Sequence, residues 1–347
     1  MDKLDFGLTL PNRGVLFGVE TMEDLLRMGE EADASGVFKS VWVGDSILAK
    51  RRPESVALLA ALAARTRHVR LAVGCMASFP VRHPVLLAAQ WATVDQIAGP
   101  DRLILAACIG GEGGGGDWQM ENDAFGVPQG ERIGRMVEGI QALRALWTNE
   151  KASFDGKYYR FSGVVSEPRP VTKPHPTIWI AANPRPTAHT DLKTNIERAT
   201  RRITRHAAGW MTTLVTPAEF ADRLGLLRAS LRDKGRDADA FDNTLYYNVN
   251  INEDREAAAA ESKKFLDLYY GFDIPRPRLD VWVAYGSPDE VVEKVRAFAD
   301  AGAKEITFRI TSFDQRGQYR RLVKEVLPAF SQPRHSPPAG ARQPARS

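Results

Sequence analysis

RLILAACIGGEGGGGDWQ, residues 102–119, opens as an apolar strand and breaks into a glycine run. Gly111 to Gly116 formally spells G-x-G-x-x-G. In a dinucleotide fold that motif must open a helix whose N-terminus holds a pyrophosphate. Here Asp117-Trp118-Gln119-Met120-Glu121-Asn122-Asp123 follows, and apolar periodicity resumes only near Ile133. No Gly-Lys-Ser or Gly-Lys-Thr ends the run, which excludes a P-loop. The run therefore reads as a loop after a strand. Gly110 and Gly111 let backbone approach a ligand closely, because no Cβ intervenes. Gly113 to Gly116 lend mobility to a lid.

Outward from this stretch, short apolar runs alternate with amphipathic segments. Eight runs read as strands: Leu4–Leu10, Ser40–Gly44, Val69–Ala77, Arg102–Ile109, Thr177–Ala182, Ala207–Thr212, Thr244–Ile251 and Glu305–Ile310. Helical spacing occupies Met22–Ala34, Val56–Ala64, Val85–Ile97, Ile133–Trp147, Pro217–Leu231, Arg255–Tyr269, Pro288–Ala301 and Tyr319–Phe330. Helix starts are marked at Pro53-Glu54, Thr216-Pro217 and Ser287-Pro288. Alternating β and α elements predict parallel strands, and eight units close into a (β/α)8 TIM barrel. An open doubly wound sheet is the alternative. Its fingerprint belongs at the first turn, which here reads Pro11-Asn12-Arg13-Gly14. The barrel is expected to be one domain, residues 1–330. A lid-like insertion (110–130) follows strand 4, and a hairpin insertion (152–176), turning at Asp155-Gly156, precedes strand 5. Residues 331–347, rich in proline, alanine and arginine, are expected to be a disordered tail.

Composition narrows the function. Of 347 residues 44% are hydrophobic and 26% charged, which is ordinary for a globular chain. Three arginines of the tail supply most of the net charge of +4, and no basic stripe suits nucleic acid. Cys75 and Cys108 are the only cysteines, too few for a disulfide framework or a zinc site, and no metal is expected. The N-terminus does not read as a signal peptide and no apolar run is long enough to span a membrane. The expected location is the cytoplasm.

Several segments, in order, give the chain a resemblance to the bacterial-luciferase-like flavin-dependent oxidoreductases. They are FGLTLPN (6–12), SVWVGDS (40–46), VRLAVGCMASFPVRHPVLLAAQWATVDQIAG (69–99), RLILAACIGG (102–111), FGVPQGERIGRMVEGIQALRALW (125–147), FDGKYYRF (154–161), PTIWIAAN (176–183), AGWMTTLVTPAEF (208–220) and GSPDEVVEKVRAFADAGAKEITF (286–308). The resemblance implies a barrel with a flavin across its mouth, either FMN or the deazaflavin coenzyme F-420. It implies a bulge at the end of the third strand, often with a non-proline cis peptide, which sets Gly74, Cys75 and Met76 behind the flavin ring. It implies phosphate contacts from Gly110, Gly111, Ala182 and Asn183, with Arg185 adding charge, and it places Cys108 near the flavin as a buried thiol. Many members carry a histidine after the second strand. Here Asp45 is followed by Ser46, which cannot act as a base near neutral pH, and the usual Asp-Gly-Trp reads Ala208-Gly209-Trp210. Asp45, Ser46 and His83 are the candidates for proton handling, with His83 also readable as a structural cap of the third helix.

With FMN, the expected chemistry is oxygenation of a small organic substrate, with reduced flavin from a separate reductase. With F-420 it is hydride transfer. A non-redox barrel or a non-catalytic flavin-binding protein are the remaining classes. Trp42, Trp179, Trp210 and Trp282 are candidates for an aromatic pocket or for packing. A homodimer is expected.

Overall fold

The computed structural model describes residues 4–111 and 115–331. Gly113 and Gly114 of the expected lid, and the tail from residue 332, lie outside the described residues.

Eight parallel strands close into a barrel in the order β1 (Asp5–Leu10), β2 (Ser40–Val43), β3 (Arg70–Met76), β4 (Leu103–Ala107), β7 (Thr177–Ala181), β8 (Gly209–Thr213), β9 (Asp242–Ile251) and β11 (Glu305–Ile310), with β11 returning to β1. These are the eight strands that the sequence patterning marks. β5 (Ala152–Asp155) and β6 (Arg160–Val164) form the separate hairpin. Helices α1 (Met22–Ser35), α2 (Ser55–Arg65), α3 (Pro84–Ala98), α5 (Arg132–Thr148), α6 (Leu192–His206), α7 (Pro217–Arg232) and α10 (Pro288–Asp300) connect the strands. Capping boxes start α7 at Thr216/Glu219 and α10 at Ser287/Glu290. The main core lies between the strands' outer faces and the helices.

Both anticipated insertions fall in the β4–β7 connection, where a short helix, α4 (Trp118–Ala124), precedes α5. A third excursion, not anticipated, separates β9 from β11. It carries α8 (Arg255–Tyr270), α9 (Arg276–Trp282) and β10 (Val283–Gly286), and α10 then leads back to the barrel. β10 pairs with the upper half of the ten-residue β9, beyond the stretch that β8 covers. This excursion has its own small core around Phe265, Leu266, Tyr269 and Trp282.

Inside the barrel, side chains alternate inward along each strand. Arg70 pairs with Glu305 at 3.1 Å and with Asp242 at 3.6 Å at the N-terminal end. Above that layer Trp42 and Trp179 fill the interior, their rings 5.7 Å apart, with Ala72, Ile104 and Met211 around them. Glycine makes this possible: a Cβ on Gly209 would lie 2.5 Å from Trp179 Cε2 and Nε1. Gly209→Ala is expected to destabilise the barrel by about 1–3 kcal/mol through overpacking. An earlier urea transition checks this, and an unchanged one would mean that Trp179 has room to move.

Candidate active site at the barrel mouth

The C-terminal ends of the barrel strands form the mouth. Asn12 ties the first two together: its Nδ2 donates to Gly44 O at 2.8 Å, and Gly44 N donates to its Oδ1 at 3.2 Å.

The three residues expected to handle protons have structural tasks. Asp45 Oδ2 accepts from Ser78 N (2.7 Å) and Ser78 Oγ (2.6 Å), while Oδ1 accepts from Ser55 Oγ (2.6 Å) and Arg82 Nη2 (3.1 Å). It stitches the β2 loop to the β3 loop, and its lone pairs are taken. The Ser46 hydroxyl donates to Glu121 Oε2 at 3.4 Å and accepts from Lys50 N at 2.8 Å. His83 is exposed and caps α3, its Nδ1 accepting from Val85 N at 3.4 Å, with its ring edge-on to Tyr159.

At the end of β3 the register with β4 shifts between Gly74 and Met76, so Cys75 is the bulged residue, and the Gly74–Cys75 peptide is cis. Cys75 is half-buried against the tryptophan cluster. Met76 is buried in the main core cluster, on the other side of the bulge from the tryptophan cluster that Cys75 packs against. Cys108 is buried beside Cys75, whose thiol hydrogen-bonds with it; that contact and burial push the Cys108 thiol well up. Cys108 is therefore a neutral thiol, not a thiolate nucleophile.

The space beside Gly110 and Gly111 is filled by the chain's own Trp118: Cβ atoms there would lie 2.9 Å and 2.5 Å from the indole. The described part of the insertion lies across the mouth. Asp117 N donates to Ala49 O at 2.9 Å, and Gly115 packs against Phe272 and Tyr270 O. Across the mouth, Ala182 N donates to Met211 O at 3.0 Å. Asn183 Nδ2 donates to Thr213 O at 2.6 Å and its Oδ1 accepts from Arg223. Arg185 is exposed, donates to Leu214 O and lies 3.7 Å from Glu219. Of the four tryptophans, Trp42 and Trp179 are inside the barrel. Trp282 reaches the mouth, its Nε1 donating to Thr213 Oγ1 at 2.9 Å, and Trp210 packs outward on Phe220.

Two features escaped the sequence reading. Glu121, on α4, is buried and its Oε2 accepts from Ile47 N, Leu48 N and Ala49 N at 2.9, 2.6 and 3.0 Å. It fixes the loop that carries Lys50. Second, basic groups converge at the mouth. Arg309 is buried inside β11, 4.0 Å from the Tyr269 ring centre. Lys50 Nζ is 4.5 Å from the Tyr270 ring centre. Burial, and then the charges of Arg52, Arg13 and Arg309, push the Lys50 amine down to about 7. The signal was the inward alternation Glu305, Thr307, Arg309, which puts a charge where a barrel interior is normally apolar.

The luciferase-like monooxygenase family model matches residues 4–305. The chain belongs to the luciferase-like monooxygenase family. Among curated relatives, the F420-dependent glucose-6-phosphate dehydrogenase of Nakamurella multipartita is 27% identical, over 90% of this chain and 93% of its own. The oxygenase component of the flavin-dependent trigonelline monooxygenase of Acinetobacter baylyi is 25% identical, over 89% and 90%. Among solved structures, monooxygenase RslO1 of Streptomyces bottropensis is 27% identical, with a TM-score of 0.75 over 94% of this chain and all of that one. Luciferase-like membership makes the chain an oxidoreductase. Among the described residues no helix is long and apolar enough to cross a membrane, and no cluster of three or more His, Cys, Asp or Glu could hold a metal.

Proposed function

We propose that the chain is an FMN-dependent monooxygenase whose reduced flavin comes from a separate reductase, acting as a homodimer in the cytoplasm on a small organic substrate. The observation that carries this reading is the position after Asp45. Oxidising an alcohol by hydride transfer requires a group to take up the hydroxyl proton. Here that position is Ser46, its hydroxyl engaged by Glu121 and the Lys50 amide, and Asp45 is saturated by Ser55, Ser78 and Arg82.

The mouth suits a flavin's two parts. Cys75 and Ala181 are small side chains packed against the Trp42 and Trp179 cluster, with Cys108 beside Cys75, leaving backbone to meet a planar ring. The glycines at 110 and 111, Ala182 and the Asn183–Arg185 loop would hold the phosphate tail, with Trp118 moving aside from the two glycines. Reduced FMN, when bound, supplies the electrons with which oxygen is activated. The chain's own contribution is to orient and to exclude water: the insertion seats Trp118 over the mouth and acts as a lid.

A deazaflavin reading is favoured by the names of curated relatives, several of which are F420-dependent glucose-6-phosphate dehydrogenases 23–27% identical to this chain. Absorbance titration of the purified protein with FMN and with F-420 separates the two. The expected result is uptake of FMN, with oxygen consumption once it is reduced. Uptake of F-420 alone would replace this reading by hydride transfer, and uptake of neither would remove both.

A further inference from the structure

We infer that the rim formed by β11, β1 and β2 is a subsite for the acid group of the substrate, a small organic anion bearing a carboxylate or a phosphate. The inference rests on the mouth being an oxidoreductase active site, and it adds the substrate class.

Four cations from three parts of the chain converge on two neighbouring rings. Arg13 follows β1, Lys50 and Arg52 follow β2, and Arg309 lies inside β11. Around Tyr269, the guanidinium carbons of Arg309, Arg52 and Arg13 stand 4.0, 5.6 and 5.9 Å from the ring centre. Around Tyr270, Lys50 Nζ and the Arg309 guanidinium stand at 4.5 and 5.2 Å. Arg52 Nη1 donates to Tyr269 OH at 3.3 Å, and Arg309 donates to Tyr270 OH.

Ring faces, neutral hydroxyls and two neutral carbonyl oxygens, Asn248 Oδ1 for Arg309 and Lys50 O for Arg52, are what these cations have as partners. Surface cations on this chain are commonly paired with carboxylates, as Arg65 is with Glu23 and Arg276 with Glu256. Among the described residues none of these four is in an ion pair. The acids that flank Lys50 and Arg52 in the sequence, Asp45 and Glu54, are both committed to Arg82. Nε and Nη1 of Arg13 are shielded from solvent and have no hydrogen-bond partner. Like charges gathered in a poorly hydrated place repel strongly, and an anion bound among them would relieve that repulsion. The field is strong enough to act on its neighbours. Burial raises the Tyr269 hydroxyl, yet Arg52, Arg309 and Arg13 bring it below its ordinary value.

The position separates this group from the cofactor's tail. In barrel order β11, β1 and β2 are contiguous, and β1 lies opposite β7, whose loop carries Asn183 and Arg185. Arginine forks suit carboxylate and phosphate oxygens alike. The aromatic faces beside them offer a place for the body of a planar substrate.

Calorimetric titration of the full chain with benzoate, phenyl phosphate and neutral benzyl alcohol tests this, alongside FMN titration of the same samples. Either anion is expected to bind at least tenfold more tightly than benzyl alcohol, and the preferred anion identifies the acid group. Arg13→Gln and Lys50→Met should each remove most of that preference while leaving FMN affinity within about twofold. Equal affinity for anion and alcohol would overturn the inference, as would a parallel loss of FMN, which would make the cluster the cofactor's site. Anion preference without any FMN uptake would leave this subsite standing and defeat the cofactor reading instead.

Discussion

Asp45→Ala should cost about 3–5 kcal/mol of stability, the range for removing one partner of a buried ion pair. The Arg82 side chain is only 10% exposed and that of Asp45 only 1%. Without the carboxylate, Arg82 keeps Glu54, a half-exposed partner at 2.6 Å, and loses its buried one. Ser55 Oγ, Ser78 N and Ser78 Oγ lose their acceptor in the same stroke. Asp45→Asn should recover only part of the loss, because its amide nitrogen would face donors. Denaturant titration checks both variants. A wild-type transition accompanied by lost turnover would show instead that Asp45 acts on the reacting atoms.

Glu121→Ala is expected to cost about 3 kcal/mol, since three backbone N–H groups lose a charged acceptor and each orphaned donor costs about 1 kcal/mol or more. The consequence for the mouth is larger than that figure suggests. Ile47, Leu48 and Ala49 hang from this one oxygen, and Lys50 follows directly. Ala49 O in turn holds Asp117 N at the foot of the insertion. Thermal melting should shift down, and limited proteolysis should open a new cut near residues 46–50. Glu121→Gln should be milder, because an amide oxygen can still accept. If the alanine variant resists protease as wild type does, the loop is held by something other than Glu121.

The barrel was legible because its signals are local. Each strand run is bounded by turn residues, and the alternation of strands and helices admits few closed solutions. β10 was missed because Val283–Gly286 is four residues long and is a strand only by pairing with the overlong end of β9. α4 was missed because seven residues carry too little periodicity, although Asp117 caps it. The site was less legible for a different reason. Asp45 reads as a free acid until Ser55, Ser78 and Arg82 are seen to surround it. Glu121 reads as a surface helix residue until the fold carries it beneath a loop 72 positions earlier. Arg13, Lys50, Arg52 and Arg309 are scattered over nearly 300 residues, and barrel closure alone makes them neighbours.

Trp42 and Trp179, stacked above the Arg70–Glu305 pair, make this barrel a cul-de-sac. Whatever reacts at the mouth must arrive by one doorway and leave by it. Under the proposed reading the cofactor ring would have to be seated first, because a substrate already lodged on the cationic rim would stand in its path. Trp118 stands beside Gly110 and Gly111 at that doorway, so under the proposed reading one swing of its ring would time both arrival and departure.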